Sequence, residues 1–240
     1  NGCTSLSVPR PQSLPECQLL SSTERHALMN HIDQYRMTDR TASLVMDLRL
    51  TLSEGELKAC VGAAAMRQLF QFFGRKPSVI KIRRVQHRLA VEPCINREST
   101  DCSLAKSGGD CVAFHTDFSL RTMQVALNEQ GKDYVGGQLV WAVDGRLELP
   151  PRPAGSPTIH TAGIVHGVTK MTRGVRYSLF LCQLPTGNAA AVPSVTDVQL
   201  QYLVPAAQSQ LDGFFQKALK FIETASDAVL YSCVDEYLLF

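Results

Sequence analysis

His115 and Asp117 stand two positions apart in the stretch AFHTDFSLRTMQVALN, residues 113–128. Alternate residues of an extended strand share one face, so an imidazole and a carboxylate would point the same way. Their Cα atoms would lie ~6.5–7 Å apart, which lets both reach one ion at bonds of about 2.0–2.2 Å. His-x-Asp alone is a weak signal, because polar residues at a strand end are its commoner meaning. A second stretch, IVHGVTKMTRGVRYSLFL, strengthens it: His166 stands in a short apolar strand and Arg176 follows ten residues later in the next. Two histidines and one carboxylate from different strands could occupy one face of a metal and leave its other positions open.

That facial set is the one non-haem iron(II) oxygenases use. Arg176 has a different role in such a site. Its strand places Arg176, Ser178 and Phe180 on one face, and a guanidinium inside a barrel of apolar strands needs an anion. Its planar fork fits a carboxylate. A dicarboxylate co-substrate could hold the metal at one end and Arg176 at the other; the alternative is an arginine on a solvated face. Among the other histidines, His26, His31 and His87 read as solvated. His160, in the strand-like TIHT, reads as a structural histidine, with a supporting place near the metal as the alternative. Met123, Leu139 and Trp141 read as core residues that could also wall a cavity.

The elements that must position these residues follow from pattern. Residues 1–20 are rich in Ser, Pro and Gln and read as an irregular arm. Ser21 with Glu24 resembles a capping box opening a helix to about Tyr35. Ser53 with Glu56 is a second, opening ELKACVGAAAMRQLFQFF, with its end at Gly74. SVIKIRRVQ, residues 78–86, alternates apolar and basic residues as a half-buried strand does. Residues 87–110 carry Pro and Gly without a period, a loop long enough to be a functional lid. CVAFHTD, RTMQVALN, GQLVWAV, RLELP, PTIHT, IVHGVT and VRYSLFLCQL then read as short strands between turns. From about Thr196 the pattern is helical again. The expected class is α+β, with an arm at 1–20, a helical support at 21–76, a barrel or sandwich at 77–185 and a helical region at 186–240.

Composition excludes little. The chain has 240 residues, 45% of them hydrophobic, enough for one large domain or two small ones. A net charge of +2 points to no nucleic-acid or membrane partner, and no apolar run reaches the ~18 residues of a membrane span. The opening residue is Asn1 rather than Met, which reads as a fragment or processed form. None of the eight cysteines forms a CxxC pair, and they read as buried free thiols, with a disulfide among Cys94, Cys102 and Cys111 left open. The lack of an Asn-x-Ser/Thr sequon adds to a leaning towards a reducing, cytoplasmic compartment. The segment 75–88 carries six Lys or Arg. It reads as the solvated face of an edge strand, with an acidic substrate or a nucleic acid as alternatives.

Together HTD and HGVTKMTRGVRYSLFL resemble the iron(II)- and 2-oxoglutarate-dependent dioxygenases of the prolyl 4-hydroxylase type. VALNEQGKDYVGGQLVW is similar to the corresponding segment of the procollagen lysyl hydroxylases. The resemblance covers roughly residues 78–184. It implies a double-stranded β-helix of the jelly-roll or cupin-like kind with flanking helices. It further implies His115, Asp117 and His166 as iron ligands and Arg176 on the distal carboxylate of 2-oxoglutarate. The implied reaction couples decarboxylation of 2-oxoglutarate, to succinate and carbon dioxide, with hydroxylation of a C–H bond. O2 is the other co-substrate, and ascorbate a reductant. The analogy favours a prolyl or lysyl side chain of a protein or peptide over a small molecule or nucleobase. A non-catalytic barrel acting as a binding module is the reading outside catalysis, and the C-terminal helices suggest a homodimer. Two departures stand out: Arg83-Arg84 replaces the Arg-Tyr common in prolyl hydroxylases, and Ala126 replaces the Tyr that often precedes Leu-Asn.

Overall fold

Ser21 and Ser53 start helices for the same reason. Each hydroxyl accepts from the backbone N–H three residues on, and the glutamate there returns to the serine N–H, so two orphan donors are satisfied reciprocally. The helices are α1 (Ser22–Thr38) and α2 (Glu54–Phe73). α2 ends where the sequence places its end, at Gly74, whose φ of 88° is the left-handed conformation that costs glycine no Cβ clash. This computed structural model describes residues 10–39, 47–86, 112–143, 146–169 and 171–185. The 87–110 loop, the region from 186 onward with its suggested dimer interface, and Cys94, Cys102 and Cys111 lie outside the described residues. Cys17, Cys60 and Cys182 lie within them as free, partly buried thiols.

The strands are β1 (Gln12–Ser13), β2 (Asp47–Leu52), β3 (Val79–Gln86), β4 (Val112–His115), β5 (Arg121–Ala126), β6 (Tyr134–Gly136), β7 (Leu139–Val143), β8 (Arg146–Glu148), β9 (Pro157–Thr161), β10 (Val165–Val168) and β11 (Met171–Gln183). One sheet runs β1-β9-β5-β11-β3-β2, with β6 paired to β11; the other runs β4-β10-β7-β8. The pairings between these strands are antiparallel.

Register decides which side chains look between the sheets. Arg176, Ser178, Phe180 and Cys182 of β11 lie opposite Val85, Arg83, Lys81 and Val79 of β3. Ser178, Phe180 and Cys182 also lie opposite Ala126, Gln124 and Thr122 of β5, and Thr122 lies opposite His160 of β9. Directly opposed residues share a face, so these side chains form one inner surface. The outer surface carries Ile80, Ile82, Met123, Val125, Leu179 and Leu181, packed with Leu28 and Ile32 of α1 and Leu57, Leu69 and Phe73 of α2 in the main core. Asp33 fastens α1 to this surface. It accepts from Arg84 Nε at 2.8 Å and from the Tyr177 hydroxyl at 2.8 and 3.0 Å.

Three expectations change. The segment 21–76 is not purely helical, because β2 lies between its helices and extends the large sheet; DLRLTL alternates apolar and polar residues at the strand period. The arm is not wholly irregular: β1 pairs with β9, and Leu19 and Leu20 are buried in the main core. The basic strand β3 is not an edge, since β2 covers it. Arg83 and Arg84 therefore fall on opposite faces, each bonded to a carboxylate. Met123 takes its expected core place. Strand alternation turns Thr122 and Gln124 inward and Met123 out against the helices.

Candidate metal centre

Strand pairing brings the two histidines together. β10 lies beside β4 with His166 directly opposite His115, and their ring centroids are 4.4 Å apart. Asp117 follows two residues after His115, just past the end of β4. Its Oδ1 lies 3.8 Å from His115 Nε2 and 3.7 Å from His166 Nε2. One donor atom from each of His115, Asp117 and His166 fits within a span of 4.8 Å. Bonds of about 2.0–2.2 Å at right angles would ask for donors ~3 Å apart, a small side-chain adjustment away. Two imidazole nitrogens and one carboxylate oxygen suit a divalent first-row metal.

The surrounding bonds orient this set. His166 Nδ1 lies 3.0 Å from the Ile164 carbonyl. A carbonyl only accepts, so Nδ1 carries the proton and Nε2 presents its lone pair. Burial, helped by the neighbouring His160, pushes the His166 pKa down to about 3, so the ring is neutral at pH 7. The other Asp117 oxygen is tied down: Oδ2 accepts from Thr122 Oγ1 at 2.6 Å and from His160 Nε2 at 2.9 Å. Ser119 donates in turn to Thr122. Burial alone would raise the Asp117 carboxyl. The His160 hydrogen bond, the nearby His166 and His160 rings and the Thr122 bond outweigh it and hold the carboxyl well below the usual range.

These residues open into a cleft of about 280 Å³ between the sheets. Leu139, Val168, Gln124, Phe180 and Cys182 line it, Lys81, Arg83 and Arg49 form its β2–β3 wall, and Phe118 and Leu184 stand at its exposed rim. Arg83 is forked onto Asp47, Nε to Oδ1 at 2.7 Å and Nη2 to Oδ2 at 2.8 Å, and Arg49 shares that carboxylate at 3.0 Å.

Arg176 is buried on the inner face, 2% exposed, and its Nε and Nη2 have no hydrogen-bond partner. Ser178 Oγ, two residues on along the same face, is also buried and unpartnered. A charged fork and a hydroxyl left dry and unsatisfied are what an absent anion would fill. Of the three residues weighed as cavity walls, only Leu139 lines the cleft. Trp141 packs with Leu139, Val143 and Ile164 in a core cluster. His160 is buried and hydrogen-bonded, as a structural histidine is, and its partner is Asp117. Sequence reasoning missed Thr122, and the faint signal for it was strand parity with Gln124 and Ala126.

No protein-family model matches the sequence, and no curated protein matches it. Solved structures do match in shape. A Trichoplax adhaerens prolyl hydroxylase, in complex with a peptide fragment of the hypoxia inducible factor oxygen degradation domain, superposes with a TM-score of 0.50 at 11% identity, covering 72% of this chain and 83% of that one. The chain has the fold of the prolyl hydroxylases. Its facing sheets are the core of the expected double-stranded β-helix. A viral collagen prolyl hydroxylase from Paramecium Bursaria Chlorella virus-1, in a 2OG complex, matches at TM-score 0.48 and 11% identity over 75% of this chain and 97% of that one. A Pseudomonas putida prolyl-4-hydroxylase matches at 0.44 and 15% identity over 73% and 88%.

Proposed function

We propose that this chain is an iron(II)- and 2-oxoglutarate-dependent dioxygenase that hydroxylates a prolyl or lysyl side chain of a protein or peptide. The observation that carries this reading is the convergence of His115, Asp117 and His166 at a cleft, with the unpartnered fork of Arg176 buried on the strand face that Phe180 and Cys182 present to that cleft. Iron(II), with 2-oxoglutarate and O2, would supply the oxidising chemistry, yielding succinate and carbon dioxide with the hydroxylated product, and ascorbate would serve as reductant.

The chain's residues divide the remaining work. His115, Asp117 Oδ1 and His166 Nε2 would hold the metal on one face and leave the opposite face to co-substrate and O2. The Ile164 carbonyl fixes the His166 tautomer, and His160 with Thr122 fixes the carboxylate. Arg176 and Ser178 would take the distal carboxylate of 2-oxoglutarate in a dry setting, where a charge-assisted bond is strong. The rim is open, with Phe118 85% exposed, which suits a peptide side chain entering from solvent. The Trichoplax adhaerens relative bound to a peptide supports the same choice.

The test is anaerobic iron(II) titration followed by oxygen-dependent succinate release with prolyl- and lysyl-centred peptides. His115→Ala and Asp117→Ala are expected to lose iron uptake and succinate formation while remaining folded; wild-type turnover in either overturns the assignment. Arg176→Ala is expected to weaken 2-oxoglutarate binding greatly and spare the metal.

A further inference from the structure

A second arginine repeats the features of Arg176. Arg152 lies in the connection between β8 and β9 and is buried, 8% exposed. Its unpartnered atoms are Nε and Nη2, the same pair as on Arg176. Those two N–H groups of a guanidinium point in parallel and form the fork that grips both oxygens of a carboxylate. Among the described residues nothing occupies either fork.

They are also neighbours. The connection that carries Arg152 is docked on the end of β5, with the Gly155 N–H donating to the Ala126 carbonyl at 2.7 Å and the Ala126 N–H to the Ser156 carbonyl at 3.1 Å, and Ala126 lies opposite Ser178, two residues along the inner face from Arg176. Burial, and then the positive charge of Arg176, bring the Arg152 pKa down to about 9, and the Tyr134 phenol hydrogen-bonds Arg176. The carboxylates around them are engaged. Glu129 accepts the backbone N–H of Ala154 at 2.9 Å, on the same connection as Arg152. Asp47 holds Arg83 and Arg49. Glu148 pairs with Arg10 at 3.6 Å. Two like charges out of water, neither ion-paired among the described residues, are costly and call for an anion between them.

We propose that Arg152 is a second anchor for the co-substrate: its fork and that of Arg176 close, beside Tyr134, on the distal carboxylate of 2-oxoglutarate. This rests on the functional reading above. A carboxylate has about four lone-pair sites, enough for two forks. The seat would select keto-diacids, because a keto-monoacid would leave both guanidinium groups buried and unpaired.

The test is calorimetry on the Mn(II)-loaded full chain without oxygen, with 2-oxoglutarate and with 2-oxovalerate, which lacks the distal carboxylate. Arg152→Gln is expected to weaken 2-oxoglutarate binding at least tenfold and to leave Mn(II) and 2-oxovalerate binding unchanged. Its melting temperature without keto acid should equal or exceed that of wild type, since the charge removed has no partner in the empty chain. Arg152→Lys keeps the charge but not the fork. It should also lose 2-oxoglutarate affinity, and it decides the matter if the glutamine variant does not fold. Unchanged 2-oxoglutarate affinity overturns the inference, as does an equal loss for both keto acids or a fall in melting temperature without ligand. A wild-type chain that takes up Mn(II) and binds neither keto acid overturns the functional reading and the inference with it.

Discussion

Asp117 has two oxygens, and the fold treats them differently. Oδ2 is pinned by Thr122 and His160, which leaves Oδ1 facing His115 and His166. On the proposed function, His160 would act as a positioning residue for the metal ligands. His160→Phe removes the donor and should lower Mn(II) affinity by about 10–100-fold, read by titration of the metal alone. His160→Gln restores a donor and should recover most of that loss; equal affinity in all three proteins would remove the role. The grouping of His115, Asp117 and His166 and the inward place of Arg176 were legible in the sequence as candidates because strand parity and a ten-residue spacing are local patterns. The partnership of His160 with Asp117 was not, since it arises through the register that sets Thr122 opposite His160. No short-range pattern encodes that register.

Among the elements, β2 does most to change the site. Its alternating leucines bury one face on the helical core, and this turns Asp47 and Arg49 towards the cleft beside Arg83. The capped helices and the strands carrying the candidate ligands were readable from hydroxyl–glutamate spacing and from alternation. β2 was overlooked because a six-residue strand between two longer helical patterns is easily absorbed into them. The Asp47–Arg83 fork ties β2 to β3. Burial opposes ionisation of Asp47, but the bonds and charge of Arg83, then of Arg49, hold its carboxyl below the ordinary value. A carboxyl depressed in the folded state stabilises above its unfolded pKa of about 3.9; that contribution fades as pH falls through the folded value. Asp47→Asn should therefore cost about 1–2 kcal/mol at pH 7, less than a fully buried pair because Asp47 is partly exposed. The gap to wild type should close once the carboxyl is protonated. Urea midpoints at neutral and strongly acid pH measure both, and a gap that persists in acid would assign the loss to something other than charge.

Across the whole molecule charge is nearly balanced, at +2, yet the cleft is not. Its β2–β3 wall carries Arg49, Lys81 and Arg83 against the single carboxylate of Asp47, three cations to one anion. The basic run was plain in the sequence, but only the sheet order decides that Lys81 and Arg83 look into the cleft while Arg84 turns to the helices. A cleft lined by one sign of charge concentrates ligands of the other. Peptides with acidic residues flanking the target side chain should therefore be turned over more efficiently than the same peptides with basic flanks. The difference in kcat/KM should be about fivefold, the worth of a ~1 kcal/mol partly exposed interaction. Raising the ionic strength from about 0.05 to 0.5 M should shrink it, because the Debye length falls well below the width of the cleft. Lys81→Gln should do the same at low salt while sparing metal and 2-oxoglutarate binding. Succinate release across the peptide pairs measures all three effects. Equal rates for acidic and basic flanks at low salt would mean that the excess charge of this wall faces solvent and not the substrate.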